Sequence, residues 1–506
     1  MASLLERYAS RIAGVLSCFD RIVITGTIPG ICYGEGMARY LSAQGVRLFD
    51  YPQFCKPMCE EIRANAERIA TENGLQIEYI RSAKAFRKED RIREVLKQRG
   101  EHPGLVHIFS VMETCASFLP WHNKATGTTT LRNKDAKCVH YYFYFIDKTF
   151  GLCYLRVPTW APFRLQFYCN GHNWLANRMR SEGIEFAQLD NTFVGVSDWE
   201  AAQARADEFP IEKLHRLLDR LAKLYCPPSS RFEHCYHWSI LQAEYATDIV
   251  FKRQDELRRL YEALVRTAVH AVKPAHVATF LGRKLHPLYE GDLGNDFHTR
   301  VEGTCIKHHM GPAAIKLYDK QSIVMRVETT VNDVTFFRHH RRVEHRDGSS
   351  EMKFAAMQKT IYSLPPLQEL LWACNRRYIA FLSDLIDPSG GVRDIEKLAE
   401  PTRHNDRTYR GFNLFSKEDL TALLALCDGK NVISGLTNRM MRRALPSLSS
   451  PQVSRLLKRL RLHGVIKKIG KTYKYYFTQM GRRVILTALK LRELVVIPTL
   501  AGIVSA

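Results

Sequence analysis

No C-x-x-C pair occurs in this 506-residue chain, although it holds 13 cysteines; the nearest approach is Cys55 and Cys59. Zinc ribbons and disulfide frameworks need tighter or more regular spacing. An odd, scattered set reads as reduced thiols in a cytoplasmic protein. No apolar run approaches the ~20 residues that span a bilayer, and the final stretch Val495–Val504 is short and interrupted by Pro498. The opening segment carries Glu6, Arg7 and Arg11 where a signal peptide would have its apolar core. A P-loop, a Rossmann glycine pattern and a G-x-S-x-G elbow are all missing, which removes those nucleotide and hydrolase mechanisms. Internal repeats and low-complexity tracts are missing too.

Acid is scarce in one region only. The whole chain has 74 Lys and Arg against 52 Asp and Glu, a net +22. Residues 401–506 hold 20 of the bases and five of the acids, a net +15. About two-thirds of the excess charge therefore sits in a fifth of the chain. Such a concentration suits a polyanion, because basic side chains displace the counterions condensed on phosphates.

The body, by contrast, alternates helical and strand patterns. Residues 20–28 read as a buried strand, followed by helix-like stretches at 34–45, 57–73 and 84–98 and short apolar runs at 75–80 and 105–111. HYYFYFID, GLCYLRVP and FRLQFYCNG form an antiparallel meander, and a helix follows from His172 to Ser181. Helices are expected over 211–225 and, as one long element, from His237 to Val272. A second meander covers 300–332, and a helix from Leu364 to Leu385 closes the body. The fold class is mixed α/β (α+β): a two-lobed body with antiparallel meanders, then a C-terminal winged helix-turn-helix domain. The boundaries read as 1–208 for the N-terminal α/β domain, 209–386 for a helical region with a meander, 387–413 for a polar linker and 414–506 for the basic tail.

In the tail, Ser416 caps a helix holding Leu420, Leu423 and Leu424, and a second helix runs from Leu436 to Ala444. After the break PSLSS, Ser450 caps a third helix, with Pro451 in its first turn. Val453, Leu456, Leu457 and Leu460 mark its buried face. Gln452, Ser454, Arg455, Lys458 and Arg459 lie on the other face, the first three near the end that reads base edges in a major groove. A hairpin with its tip at Ile469–Thr472 brings Lys468, Lys471 and Lys474 toward phosphate. This stretch resembles MarR-like winged-helix regulators in its paired helices, the run LSSPQVSRLLKRLRLHGVIKK, its short wing and the TQMGRRVI lead into a terminal helix. The likeness covers about 85 residues and implies double-stranded DNA as partner. The whole chain also looks like large bacterial proteins labelled MarR-type regulators, a likeness that names no activity.

Three constellations in the body can carry chemistry. In the second meander, an even loop between IKLYDK and SIVMRVETTV would put His308, Arg326 and Glu328 on one sheet face. That set could hold a divalent metal, Mg²⁺ or Mn²⁺, against a phosphate; a solvated Arg–Glu pair is the plainer reading. Tyr318 followed by Arg326 and Glu328 loosely resembles the catalytic strands of rolling-circle replication initiators, which implies Tyr318 as nucleophile and Glu328 as metal ligand. On a helix from His237, Glu244 and Asp248 would stack one turn apart as metal ligands, or be offset by Lys252. Asp20, on the opening strand, stands where polynucleotidyl transferases of the RNase-H type place their first metal ligand; an ion pair with Arg21 fits equally. Arg156–Trp174 mixes Arg with aromatics, as a surface for unpaired, single-stranded nucleic acid would, or as a sheet core would.

Two functions follow. In one, the winged helix delivers a metal-dependent strand-cleaving or strand-transferring body, of mobile-element or replication-initiation kind, to DNA. In the other, the body of a non-catalytic transcriptional regulator forms a homodimer or senses a ligand.

Overall fold

The computed structural model describes residues 2–81, 86–300, 303–345, 347–386, 398–413, 416–427, 435–470 and 472–500. Among them no helix is long and apolar enough to cross a membrane. The first strands in chain order are β1 (Ile12–Thr27), β2 (Ile77–Ile80), β3 (Gly104–Cys115), and the hairpin β4 (Phe118–Asn123) and β5 (Thr128–Asn133). Next come the meander β6 (Ala136–Asp147), β7 (Gly151–Pro158) and β8 (Leu165–Cys169), then the hairpin β9 (Phe186–Gln188) and β10 (Phe193–Val196). After β11 (His237–Phe251) follow β12 (Leu293–Arg300), β13 (Gly303–Met310), β14 (Ala313–Lys320) and β15 (Val324–Val331). A separate hairpin, β16 (Arg338–Glu344) and β17 (Ser350–Ala356), precedes the tail's β18 (Thr402–His404), β19 (Arg407–Tyr409), β20 (Ile466–Lys468) and β21 (Tyr475–Phe477).

Eleven strands share one sheet, in the order β12-β13-β14-β15-β11-β1-β8-β7-β6-β3-β2. With its flanking helices this is the α+β class expected. The chain falls into two compact units: residues 1–15, 246–329 and 370–506 in the first, 16–245 and 330–369 in the second. The division falls inside β1, β11 and β15, so each of those strands is one continuous element across it.

In the second unit, aromatic and β-branched residues make the strands. Phe109, Val111, Tyr142 and Tyr144 from β3 and β6 pack with Ile92 of the helix Lys88–Arg99. Much of the stretch Arg156–Trp174 is core, with Leu165 and Phe167 fully buried and Trp174 nearly so, while Arg164 is exposed and Trp160 and Tyr168 are half-buried.

One long helix was expected from His237 to Val272. It is a strand to Phe251 and a helix only over Gln254–Ala271. Positions 244 and 248 share a side on a helix and on a strand alike, so the charges did not discriminate. Trp238, Ile240, Tyr245, Thr247, Ile249, Val250 and Phe251 decide it, because aromatic and β-branched side chains favour a buried strand.

Among the described residues the tail holds helices Lys417–Leu426, Asn438–Ala444 and Ser450–Leu462, the hairpin β20–β21 and helix Gln479–Leu491, in the order expected of a winged helix. Leu423, Leu426, Met441, Val453, Leu457 and Leu460 form its core. The third helix is capped by Ser449, in a reciprocal capping box with Gln452, and not by Ser450. Residues 387–397 of the expected linker lie outside the described residues. Its remainder is structured: β18 and β19 pair, and Leu398 and Phe412 are buried in the tail's core.

Candidate metal centre

Every residue of β15 is buried, although the strand carries Arg326, Glu328, Thr329 and Thr330. Strand alternation separates them. On one face Thr329 Oγ1 donates to Asn375 Oδ1 (2.6 Å), and Asn375 Nδ2 donates to Thr247 Oγ1 of β11 (3.1 Å). The other face carries Arg326 and Glu328 from β15 and, by the same alternation, Glu244 and Asp248 from β11.

Arg326 holds Asp248 in a two-pronged ion pair, Nε to Oδ1 at 2.6 Å and Nη2 to Oδ2 at 2.7 Å, with both side chains buried. That engagement takes Asp248 out of the metal set expected of it. Glu328 accepts from Lys316 Nζ and from Tyr318 OH, each at 2.7 Å. The nucleophile and carboxylate proposed from sequence are thus side by side.

The loop between β14 and β15 decides the company of Glu328. It has three residues, Gln321 to Ile323, the first two in the left-handed region (φ 56° and 58°). An odd loop sets Lys316 and Tyr318 toward Glu328. Because His308 pairs with Ile315, it lies on the reverse face. The expected convergence of His308 with Glu328 rested on an even loop and does not occur. Both ring nitrogens of His308 are engaged instead, Nδ1 with Asn295 Oδ1 (2.6 Å) and Nε2 with Tyr378 OH (2.8 Å).

Burial pushes His308 from near 6.5 down to about 4, and His276 likewise. Both sites therefore take protons more readily when unfolded. Their stabilising contribution is complete above pH ~6.5 and declines as pH falls toward ~4, on the order of 3 kcal/mol each. We expect the melting temperature to drop across that window, and substitution of both by glutamine to flatten the drop.

Asp20, on β1, is nine-tenths buried. Its Oδ1 accepts from Asn170 Nδ2 (3.3 Å) and Asn191 Nδ2 (2.5 Å), and His172 Nδ1 lies 3.1 Å away. Asn170 also caps the helix Gly171–Glu182, accepting from the backbone N–H of His172 at 2.8 Å. A Cβ at Gly171 would fall 2.1 Å from the carbonyl oxygen of Phe19. Only glycine lets this turn press against β1 and deliver Asn170 and His172 to the aspartate. Glu244 accepts from Thr330 Oγ1 (3.3 Å) and stands 4.0 Å from Arg21 Nε.

Asp20, Glu244 and Glu328 each offer a carboxylate oxygen, and these oxygens all lie within 4.8 Å of one another. Their strands, β1, β11 and β15, are consecutive in the sheet. Two like charges at 4 Å repel by roughly 4 kcal/mol at a typical effective dielectric, so such a trio calls for cations. Oxygen ligands of one Mg²⁺, at about 2.0–2.1 Å from the ion, span at most about 4.2 Å. The 4.8 Å limit of the trio is slightly wider than that span. Of the sequence candidates, Asp20, Glu244 and Glu328 are thus gathered, with Tyr318 bonded to the last, and two, His308 and Asp248, are not. Sequence reasoning missed Lys316, Asn170, His172 and Asn191. Asn170 and His172 follow directly on the strand FYC, at a cap; Asn191 gives no signal, lying 171 residues from its partner.

In the tail, Gln452, Ser454, Arg455, Lys458, Lys468 and Lys474 are exposed. Gln452 Oε1 accepts from the Ser449 N–H (2.7 Å), and Ser454 Oγ accepts from Asn438 Nδ2 (2.8 Å). Lys471 lies outside the described residues. Arg459, expected to face DNA, is turned inward. It donates to both oxygens of Asp419 (2.9 and 3.1 Å) and to the carbonyls of Arg410 and Gly411, and stacks 3.7 Å over Phe412. Burial raises the Asp419 carboxyl, but hydrogen bonds from Arg459 and the Asn413 N–H outweigh it and hold the group below its ordinary range. Arg459 ties the residue 398–413 segment to the third helix. Comparison of the chain with family models, curated proteins and solved structures returns no match.

Proposed function

We propose that this chain is a DNA-binding protein whose winged helix docks on duplex DNA and whose body cleaves or transfers a nucleic-acid strand with Mg²⁺ or Mn²⁺ at Asp20, Glu244 and Glu328. The observation that carries this reading is the convergence of three carboxylates from three strands, two of them buried. A cation there would polarise a phosphodiester oxygen and lower the pKa of a bound water. In this reading the Tyr318 hydroxyl, which donates to Glu328, attacks the phosphorus, its proton passing to that carboxylate as the bond to the departing strand's oxygen breaks.

Incubation with labelled single- and double-stranded DNA and Mn²⁺ tests it. Cleavage should need the metal. A covalent protein–DNA adduct lost in Tyr318→Phe assigns the nucleophile; cleavage without an adduct assigns water. Metal-independent binding with no cleavage supports the second reading, a non-catalytic regulator. One contact favours that alternative: Lys316 at 2.7 Å from Glu328 supplies a positive charge without any metal.

Docking by the winged helix has its own signature. Arg455→Ala should relax base preference by ~1–3 kcal/mol. Alanine at Lys468 and Lys474 together should reduce the slope of log affinity against log salt by about 1.8, at ~0.9 per phosphate contact, with base preference unchanged. Wild-type binding in both variants would remove the tail from the interface.

A further inference from the structure

We propose that the β16–β17 hairpin is a binding arm for single-stranded nucleic acid. The two strands pair only with each other and stand outside the large sheet. Their register sets Arg338 opposite Ala356, His340 opposite Phe354 and Arg342 opposite Met352. Alternation puts these six side chains on one face together with Glu344 and Ser350, which pair at its far end, and every residue of that face is exposed. Met352 and Phe354, at 68 % and 51 % exposure, are far more open than a sheet interior allows.

The result is a row of cations beside an aromatic and a thioether. Arg338 stands 5.4 Å over the Phe354 ring and donates from Nη2 to the Phe354 carbonyl (2.9 Å), and the His340 ring lies 5.3 Å from the same ring. Two large apolar side chains are thus left open to water between the guanidiniums of Arg338 and Arg342. A single strand matches this row, with phosphates at Arg338 and Arg342 and an unstacked base on Phe354. Paired bases keep their faces stacked on one another, so a duplex would leave Phe354 unused.

The root of the arm is fixed. Phe337 and Met357 are buried where the strands leave, and Met357 N–H donates to the Phe337 carbonyl (3.0 Å). Lys359 pairs with Asp333 (3.1 Å), and the Ile240 N–H of β11 donates to the Lys359 carbonyl (2.6 Å). Ile240 precedes Glu244 by four residues, about 13 Å along a strand. Where the chain enters the arm, Thr330, eight residues before Arg338, is hydrogen-bonded to Glu244. A strand lying on the arm would therefore run toward Glu244. That direction rests on the carboxylate reading; the binding itself does not.

The test uses the full chain in EDTA with a short fluorescent oligothymidine, its anisotropy followed across a salt series. Phe354→Ala should weaken binding about tenfold, within the range for losing one stacked base, and leave the salt slope alone. Arg338→Gln with Arg342→Gln should reduce the slope by about 1.4, at ~0.7 per phosphate on a single strand. Duplex affinity should stay at wild type in both. Wild-type affinity and slope in both variants would overturn the proposal, as would an equal loss for duplex and single strand. Loss of cleavage in carboxylate variants that still bind oligothymidine leaves the arm standing, so the two readings fail separately.

Discussion

Glu328→Gln and Asp20→Asn are each expected to abolish the proposed metal-dependent strand cleavage while leaving duplex binding intact. Disturbing a residue that merely supports a metal ligand typically costs 10- to 100-fold in metal affinity or activity; removing a ligand should cost more. Asn170→Ala and His172→Ala, which act on Asp20 at 3.3 and 3.1 Å, should fall in the lower range as positioning residues, with the loss visible as weaker Mn²⁺ affinity. Stability gives an independent readout. If the three carboxylates repel one another in metal-free protein, Glu328→Gln is neutral or raises the melting temperature in EDTA. If Glu328 serves as an ion-pair partner of Lys316 alone, the same change lowers it and Mn²⁺ makes no difference.

Asp248→Ala should be among the most destabilising single changes in the chain, by about 3–5 kcal/mol, because it strands a buried guanidinium. Arg326 is fully buried, and Asp248 engages it with both oxygens. The shift should appear in the denaturation midpoint of the body. Asp248→Asn keeps one acceptor and should cost less. Neither change removes a metal ligand, so whatever folds should still respond to Mn²⁺. Loss of that response at undiminished stability would reassign Asp248 to the cation.

Much of this was legible in the residues. Aromatic and β-branched runs located β6 and β7, and apolar residues at helical spacing located the helices Ile211–Tyr225 and Leu364–Ile386, to within a few residues, because each satisfies one periodicity only. The tail was legible for the same reason: leucines at helical spacing and a capping serine act locally. The candidate site was legible in parts and not as a whole. Asp20, Glu244 and the pair Tyr318 and Glu328 stood out in three separate groups, but nothing local states that β11 lies between β15 and β1. His308 was misplaced by the parity of a single turn, one residue being enough to exchange the faces of a strand. Arg459 was misread because a cation on a helix's polar side looks the same whether it meets phosphate or Asp419. The β16–β17 arm went unread because its residues pair across a hairpin and show no periodicity beyond two.

The most direct measurement is a Mn²⁺ titration of the full chain followed by electron paramagnetic resonance. Saturable binding in the wild type, weakened at least tenfold in Asp20→Asn and in Glu328→Gln and unchanged in Asp248→Asn, is the predicted result. No saturable binding, or the same binding in all four proteins, would contradict a cation site on these three strands.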